Sequence, residues 1–165
     1  MTVWEAIKRL ESSKTFTSWK KNNQVSYLVH SFKMYGNGND EWQIGYFNPR
    51  TDLISVFVVD EKITKNEDAE VFKEQEKLVQ PLELKEVQVS ETEALEKAKE
   101  ILEDDYREAT VVKSFMILQN LETIGQVWNI TFLTRQFKTI NIKIDAKTGE
   151  CKEQKVISLI QGREE

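Results

Sequence analysis

The residues of this chain that could carry out chemistry are few and lie far apart. The sequence holds one histidine, His30, and one cysteine, Cys151. A histidine that acts as a general base needs a positioned partner, and a nucleophilic cysteine needs a base that lowers its pKa. The sequence supplies neither, so we interpret Cys151 as an incidental thiol. His30 is interpreted as a structural imidazole on the strand side that also carries Leu28 and Phe32.

Motifs for metal, phosphate or acyl chemistry are absent from the sequence. It contains no Walker loop, dinucleotide-binding glycine fingerprint, serine nucleophile elbow or paired-histidine zinc motif. Gly36-Asn37-Gly38 is too short to cradle a phosphate and predicts a hairpin turn. The adjacent acids Glu103, Asp104 and Asp105 do not share one helix face, so convergent oxygen ligands for a cation are not expected there. We therefore predict a chain without catalytic residues, cofactor or metal site.

Composition and charge disfavour several further function classes. The chain has 165 residues and a net charge of −5, and its acidic residues concentrate between positions 61 and 110. Because duplex-binding proteins present a basic face to the phosphates, nucleic-acid binding is not expected. No stretch approaches the roughly 18 apolar residues of a membrane-spanning helix. The chain as given is expected to be soluble and cytoplasmic, or envelope-associated if a leader or an anchor has been removed.

Hydrophobic periodicity predicts a helix and three strands, a linker, and then a second helix with three or four strands. Thr2-x-x-Glu5 and Ser90-x-x-Glu93 have the spacing of capping boxes, in which a hydroxyl and a carboxylate satisfy free amides at a helix start. The second helix has apolar residues at the 3.6-residue period, namely Ala94, Leu95, Ala98, Ile101, Leu102 and Tyr106. Strands are predicted at 25–35, 42–47, 53–60, 110–118, 126–133, 137–145 and 151–160.

Two strand patterns predict how the sheet is covered. Residues 53–60 are apolar at most positions, which predicts a strand covered on both faces. Between 137 and 145, isoleucines alternate with polar residues, which predicts a half-buried strand with one wet face. The linker is expected to be weakly helical between 66 and 78. Residues 82–89 are expected to form a short strand or an extended strap.

The two halves of the sequence repeat the same order of features. Trp42 corresponds to Trp128 and Asp60 to Asp145, and both halves begin with a capping box. A tryptophan in an apolar strand is usually a core anchor, so we predict that Trp42 and Trp128 are buried. Trp19 is the best candidate for an exposed aromatic residue, with packing over the helix end as the default. This self-similarity predicts an internal duplication.

The second half resembles a PepSY domain. The matching elements are the helix ETEALEKAKEIL, the strand that Trp128 opens, and IKIDAKTGE at 142–150, which is similar to the hairpin turn of that family. The first half resembles a diverged copy, which keeps Trp42 and VFVVDE at 56–61 but lacks the Thr-Gly expected after Asp60. The resemblance implies an α+β fold of two cystatin-like αβββ units. The units are expected at 1–62 and 90–165 with an acidic connection at 63–89, and their sheets either pack together or continue edge to edge.

The resemblance also implies a non-enzymatic module that binds or restrains a peptidase or another protein partner. An open sheet edge would bind an extended peptide by strand addition. The candidate binding residues are Tyr46 and Phe47 at a strand end and Thr139, Asn141 and Lys143 on the wet face. Two alternatives stay open. One is a small-molecule-binding or enzymatic domain with a cavity between helix and sheet, lined by His30 and several acids, and the other is a structural domain that self-associates as a homodimer.

Overall fold

The computed structural model describes residues 1–36, 38–70 and 79–160. Within these ranges, three α-helices lie on one face of a nine-stranded antiparallel sheet, so the fold is α+β. The helices are Val3–Glu11 (α1), Lys14–Lys21 (α2) and Glu91–Asp105 (α3). The strands are Tyr27–Tyr35 (β1), Trp42–Asn48 (β2), Leu53–Val59 (β3), Ile63–Lys65 (β4), Ala69–Glu70 (β5), Val111–Leu121 (β6), Gly125–Thr134 (β7), Lys138–Asp145 (β8) and Cys151–Ser158 (β9).

The two halves of the chain form one continuous sheet. The strand order is β4-β3-β2-β1-β6-β7-β8-β9, and β5 also pairs with β3. The junction is the antiparallel pair β1–β6, in which Phe32 lies opposite Ile117 and Met34 opposite Phe115. Of the two arrangements that the sequence left open, the structure therefore has the sheets joined edge to edge.

Local hydrogen bonds at the helix starts confirm both predicted capping boxes. The Thr2 hydroxyl accepts from the Glu5 amide at 3.2 Å, and the Glu5 carboxylate accepts from the Thr2 amide at 2.7 Å. Ser90 and Glu93 make the same reciprocal pair at 3.2 and 2.8 Å. The first predicted helix is divided in two, because the side chain of Ser13 caps a second helix, α2.

The core lies between the helices and the sheet. Trp42 and Trp128 are both fully buried in it, as predicted, with ring centroids 6.4 Å apart. Trp19 is partly buried and packs against the rings of Phe16 and Phe57, at 5.3 and 5.1 Å, so it lies between α2 and the sheet and is not an exposed aromatic residue. Both halves of the chain therefore contribute to one apolar core.

The two buried tryptophans are held in equivalent ways. The Trp42 indole donates to the carbonyl of Met1 at 3.0 Å, and the Trp128 indole donates to the carbonyl of Val89 at 2.9 Å. In each half the acceptor is the residue directly before the N-cap of a helix. Each indole thus ties a strand to the start of the helix that covers it.

The described part of the segment that links the two halves is not helical where weak helix was predicted. The strands β4 and β5 pair with β3, so residues 69–70 are extended where weak helix was predicted, and residues 71–78 of that segment lie outside the described residues. Residues 82–89 form a strap with a short 3-10 turn at Leu84–Glu86 and no strand. The Leu82 amide donates to the Leu28 carbonyl and the Val89 amide to the Ala146 carbonyl, both at 2.9 Å. The strap thus contacts both halves.

The sequence predicted that β3 is covered on both faces, and this prediction is wrong. Phe57 and Val59 are fully buried on the helix side, but Val56 and Val58 on the other side are only half-buried. No helix among the described residues lies on that second face.

In the part of the chain that the structure describes, no helix is long and apolar enough to cross a membrane.

Candidate binding surface

The sheet face opposite the helices is the candidate functional surface, and we call it the open face. Strand alternation places every second side chain on it. Its first part, the apolar zone, is formed on the strands β3, β1 and β6 by Val56, Val58, Phe32, Met34, Phe115 and Ile117. All six side chains are half-buried. Because the zone spans the β1–β6 junction, it draws on both halves of the chain.

The apolar zone contains a shallow cavity. Its volume is about 320 Å³, and its lining is His30, Phe32, Gln43, Val56, Ile117 and Gln119. Beside it, the rings of Phe32 and Phe115 lie 5.8 Å apart across the junction. The lining combines apolar side chains with two amides and an imidazole, which is the composition of a pocket that receives an apolar side chain of a partner.

The second part of the open face is a ladder of polar side chains across β6 to β9, which we call the polar ladder. The Asn129 amide donates to Gln119 at 2.9 Å, and the Asn141 amide donates to Asn129 at 2.6 Å. The Lys143 amine then donates to Asn141 at 2.8 Å and to Glu153 at 3.2 Å. Such a connected network fixes the direction of each donor and acceptor, so the surface is preorganised.

The charged end of the ladder is held in its ionised form. The carboxylate of Glu153 accepts from Lys155 at 2.8 Å as well as from Lys143. Hydrogen bonds from Lys155 and then Lys143 keep the pKa of Glu153 below its usual value. The predicted wet face of β8 is confirmed, because Ile140, Ile142 and Ile144 are buried while Thr139, Asn141 and Lys143 lie on the open face.

His30 lies on the open face together with Phe32, as predicted, but Leu28 does not share that face with it. A β-bulge between Leu28 and His30 shifts the register of β1 against β2. Leu28 therefore packs against the core, while His30 and Phe32 lie on the open face. The imidazole covers Gly45, where an added Cβ would lie 2.2 Å from the His30 Cε1 atom. Glycine at position 45 is what allows His30 to lie flat against the sheet.

Acidification is expected to destabilise the fold through His30. Burial lowers the pKa of His30 below its usual 6.5. The unfolded chain then binds more protons than the folded chain as the pH falls below 6.5, so the free energy of unfolding decreases in that direction. Urea unfolding between about pH 7 and 5.5 should show this decrease, because ordinary carboxyl groups titrate lower.

The control for this pH effect is His30→Gln, which removes the only histidine of the chain. The variant should unfold at the same urea concentration throughout that pH range. An equal pH dependence in the variant and the wild type would contradict the assignment.

The structure places Tyr46 and Phe47 away from the other candidate residues. Both lie on β2, which has strands on both sides, so no sheet edge is open there. Tyr46 is 3% exposed beneath the helices, where its hydroxyl donates to Glu11 at 2.9 Å. Burial, and then the charge of Glu11, raise the pKa of Tyr46 well above its usual value. Phe47 is equally buried and packs on Tyr27 at 5.7 Å.

Sequence reasoning missed the apolar zone. The sequence does indicate this zone: in 28–35 and in 111–118, large apolar side chains occur at both the even-numbered and the odd-numbered positions. That pattern indicates two apolar faces, whereas the helices cover one.

Side chains that could together bind a metal ion are not assembled in the described residues. No group of three or more histidine, cysteine or acidic side chains is close enough there to hold a metal ion. A cavity of about 310 Å³ lies between the end of α3 and the sheet, with Tyr106, Ile140 and Val156 in its wall. His30 is on the opposite face of the sheet, so it does not line that cavity.

Comparison of this chain with known proteins finds a solved structure of similar fold but no matching protein family. The sequence matches no protein-family model, and no curated protein matches it. A similar solved structure is the crystal structure of a "putative lipoprotein" from Clostridium difficile 630, with a TM-score of 0.58 and 13% sequence identity. The match covers 87% of this chain and 90% of that chain. At this identity the likeness concerns the fold alone.

Proposed function

We propose that this chain is a non-catalytic module that binds a protein partner on its open face. The observation that carries the proposal is the apolar zone, which lies uncovered by the described helices beside a polar ladder with fixed hydrogen bonds. Contiguous apolar surface rimmed by polar groups is typical of protein interaction sites. An apolar centre with a polar rim is also the usual anatomy of an interface.

The partner is expected to make two kinds of contact. An apolar side chain enters the cavity beside Ile117 and Val56, where burial of apolar area supplies most of the affinity. Polar groups of the partner meet the ladder around Asn141, and charged groups meet Lys143 and Glu153 at its end. Because the ladder is already connected, little side-chain entropy is lost when the partner binds.

We also propose that the two halves are duplicated αβββ units. The support is the matching order of elements, the two capping boxes and the equivalent indole hydrogen bonds of Trp42 and Trp128. Asp60 and Asp145 also begin similar turns, since each carboxylate accepts from the amide two residues further on. Joining the two units through β1 and β6 creates the apolar zone, which a single unit would have only in part.

The resemblance of residues 90–157 to PepSY domains favours a peptidase as the partner. The fold likeness to a protein described as a lipoprotein supports an envelope location for the chain. The peptidase assignment is tested by adding the purified chain to a panel of secreted peptidases with casein as the substrate. Stoichiometric inhibition of at least one peptidase is expected, and inhibition of none would restrict the proposal to other protein partners.

The binding surface is tested with peptides selected from a displayed random library on the immobilised chain. The variant Ile117→Lys places a charge in the cavity of the apolar zone. It is expected to weaken binding of the selected peptides by about tenfold or more, since a central apolar contact usually dominates the affinity. The dissociation constants are measured by fluorescence anisotropy, with circular dichroism to confirm that the variant folds.

The matched control is Val25→Lys, which makes the same kind of change at a 36%-exposed valine before β1. Val25→Lys should bind the selected peptides like the wild type. Equal binding by Ile117→Lys and the wild type, or a library that yields no binding peptide, would contradict the assignment of the open face.

A further inference from the structure

The strand β9 is the long free edge of the sheet. Within the described residues it pairs with β8 alone and ends the strand order. The opposite edge is formed by β4 and β5, which are three and two residues long. The outward amides and carbonyls of an edge strand have no ladder partner, so a long apolar edge is a template for pairing with another chain.

Exposed apolar side chains are concentrated at this edge. On β9 and directly after it, the exposed fractions are 46% for Val156, 54% for Ile157, 57% for Leu159 and 63% for Ile160. The strand is regular from Glu153 to its end, and the Leu159 amide directly after it still donates to the Phe137 carbonyl at 2.8 Å. The side chain of Phe137 is itself 62% exposed. Such a concentration of apolar surface at an unpaired edge marks an interface.

We propose that β9 pairs antiparallel with β9 of a second copy of this chain, about a twofold axis at Val156. The two sheets would then continue as one, and the same surface would be used by both copies, as in most homodimers. The axis is perpendicular to the sheet, so side chains on the helix side of one copy lie opposite helix-side chains of the other. One residue of β9 must therefore lie directly opposite the same residue of the second copy, at the axis. The identity of that residue defines the register of the pairing.

Charge and regularity select Val156 among the residues of β9. An axis at Lys155 would place two lysines directly opposite each other, which is destabilising. An axis at Gln154 would require pairing through the irregularity that separates Glu153 from Cys151. An axis at Ile157 would leave only 156–158 of the strand to pair. An axis at Val156 pairs residues 154–158, all in the regular part of β9, and places Lys155 opposite Ile157 of the second copy. No like charges are then directly opposed, and the exposed valine is buried at the centre.

The same register brings opposite charges together on the helix side. Gln154 donates to the Asp105 carboxylate at 3.3 Å, and Ser158 lies opposite Lys138 in the β8–β9 pair. With the axis at Val156, Gln154 of one copy lies opposite Ser158 of the second copy. Lys138 of the second copy then lies two strand spacings, about 10 Å between backbones, from the Gln154 that contacts Asp105. The Lys138 side chain can extend past the small Ser158 side chain toward Asp105. Because of the twofold symmetry, this ion pair between Asp105 and Lys138 forms twice in the dimer.

The register is tested by disulfide trapping in a Cys151→Ser background, which removes the exposed natural thiol. Val156→Cys places two thiols opposite each other at the axis, so mild oxidation should give a covalent dimer. The matched control Gln154→Cys separates its two thiols by four residues along the strands, about 13 Å, so it should stay uncrosslinked. Mixing Gln154→Cys with Ser158→Cys should restore crosslinking.

Sedimentation equilibrium tests the association without a crosslink. The wild type is expected to be a dimer, and Val156→Lys is expected to weaken it by about tenfold or more, because two charges meet at the axis. Val112→Lys changes a 58%-exposed valine on β6 and should leave the dimer intact. A monomeric wild type, a dimer unaffected by Val156→Lys, or crosslinking of Gln154→Cys to itself would overturn the proposal. The binding test at Ile117 is independent of these results.

Discussion

Replacing Trp128 with alanine is expected to lower the free energy of unfolding by about 3–5 kcal/mol. The side chain is fully buried, and its indole donates to the Val89 carbonyl at 2.9 Å. Alanine would leave a large cavity and an unpaired carbonyl at the start of α3. Urea unfolding followed by circular dichroism measures the loss, and Val25→Ala, at an exposed position, should change the free energy of unfolding by less than about 0.5 kcal/mol.

The way in which the Trp128→Ala variant unfolds distinguishes one cooperative unit from two domains. Trp42 and Trp128 are in contact, and β1 pairs with β6, so we expect both halves to unfold in a single transition. Trp42→Ala should also couple to Trp128→Ala by about 0.5–1.5 kcal/mol in a double-mutant cycle. Two separate transitions, with the first half still folded after the second has melted, would contradict a shared core.

Gly45→Ala is expected to cost about 1–3 kcal/mol of stability, as overpacking usually does. The new Cβ would lie 2.2 Å from Cε1 and 2.6 Å from Nδ1 of His30, so the imidazole must leave its position against the sheet. The displaced ring would also enter the cavity of the apolar zone, and binding of the selected peptides should weaken. Urea unfolding and fluorescence anisotropy measure the two effects.

Removing the His30 ring is expected to reduce the destabilisation caused by Gly45→Ala. In a His30→Ala background there is no ring to displace, so adding Gly45→Ala should cost much less than it does in the wild type. The same loss of stability in both backgrounds would show that the contact between Gly45 and His30 is not the cause.

The features that the sequence predicted correctly are local. The capping boxes at Thr2 and Ser90 depend on residues three apart, and the alternation at Ile140, Ile142 and Ile144 has the period of a strand. The burial of Trp42 follows from its place in an apolar strand. Such patterns act within one element, so a single sequence is enough to recognise them.

The features that the sequence did not predict depend on contacts between distant elements. No pattern in β1 specifies that its second neighbour is β6, although this pairing creates the apolar zone. The bulge before His30 places Leu28 and His30 on opposite faces, and a one-residue shift of this kind leaves little trace in composition. The apolar strand 53–60 illustrates the same limit, because a strand covered on both faces and a strand with an apolar binding face have similar sequences.

The most direct test of the open face is a methyl NMR titration of the chain with the tightest peptide from the displayed library. The methyl signals of Val56 and Ile117, on the open face, are expected to shift on binding. The methyl signals of Ile130 and Ile142, which are fully buried on the helix side, should stay in place. Shifts confined to the helix side or to β9, with Val56 and Ile117 unchanged, would contradict the assignment of the open face as the partner-binding surface.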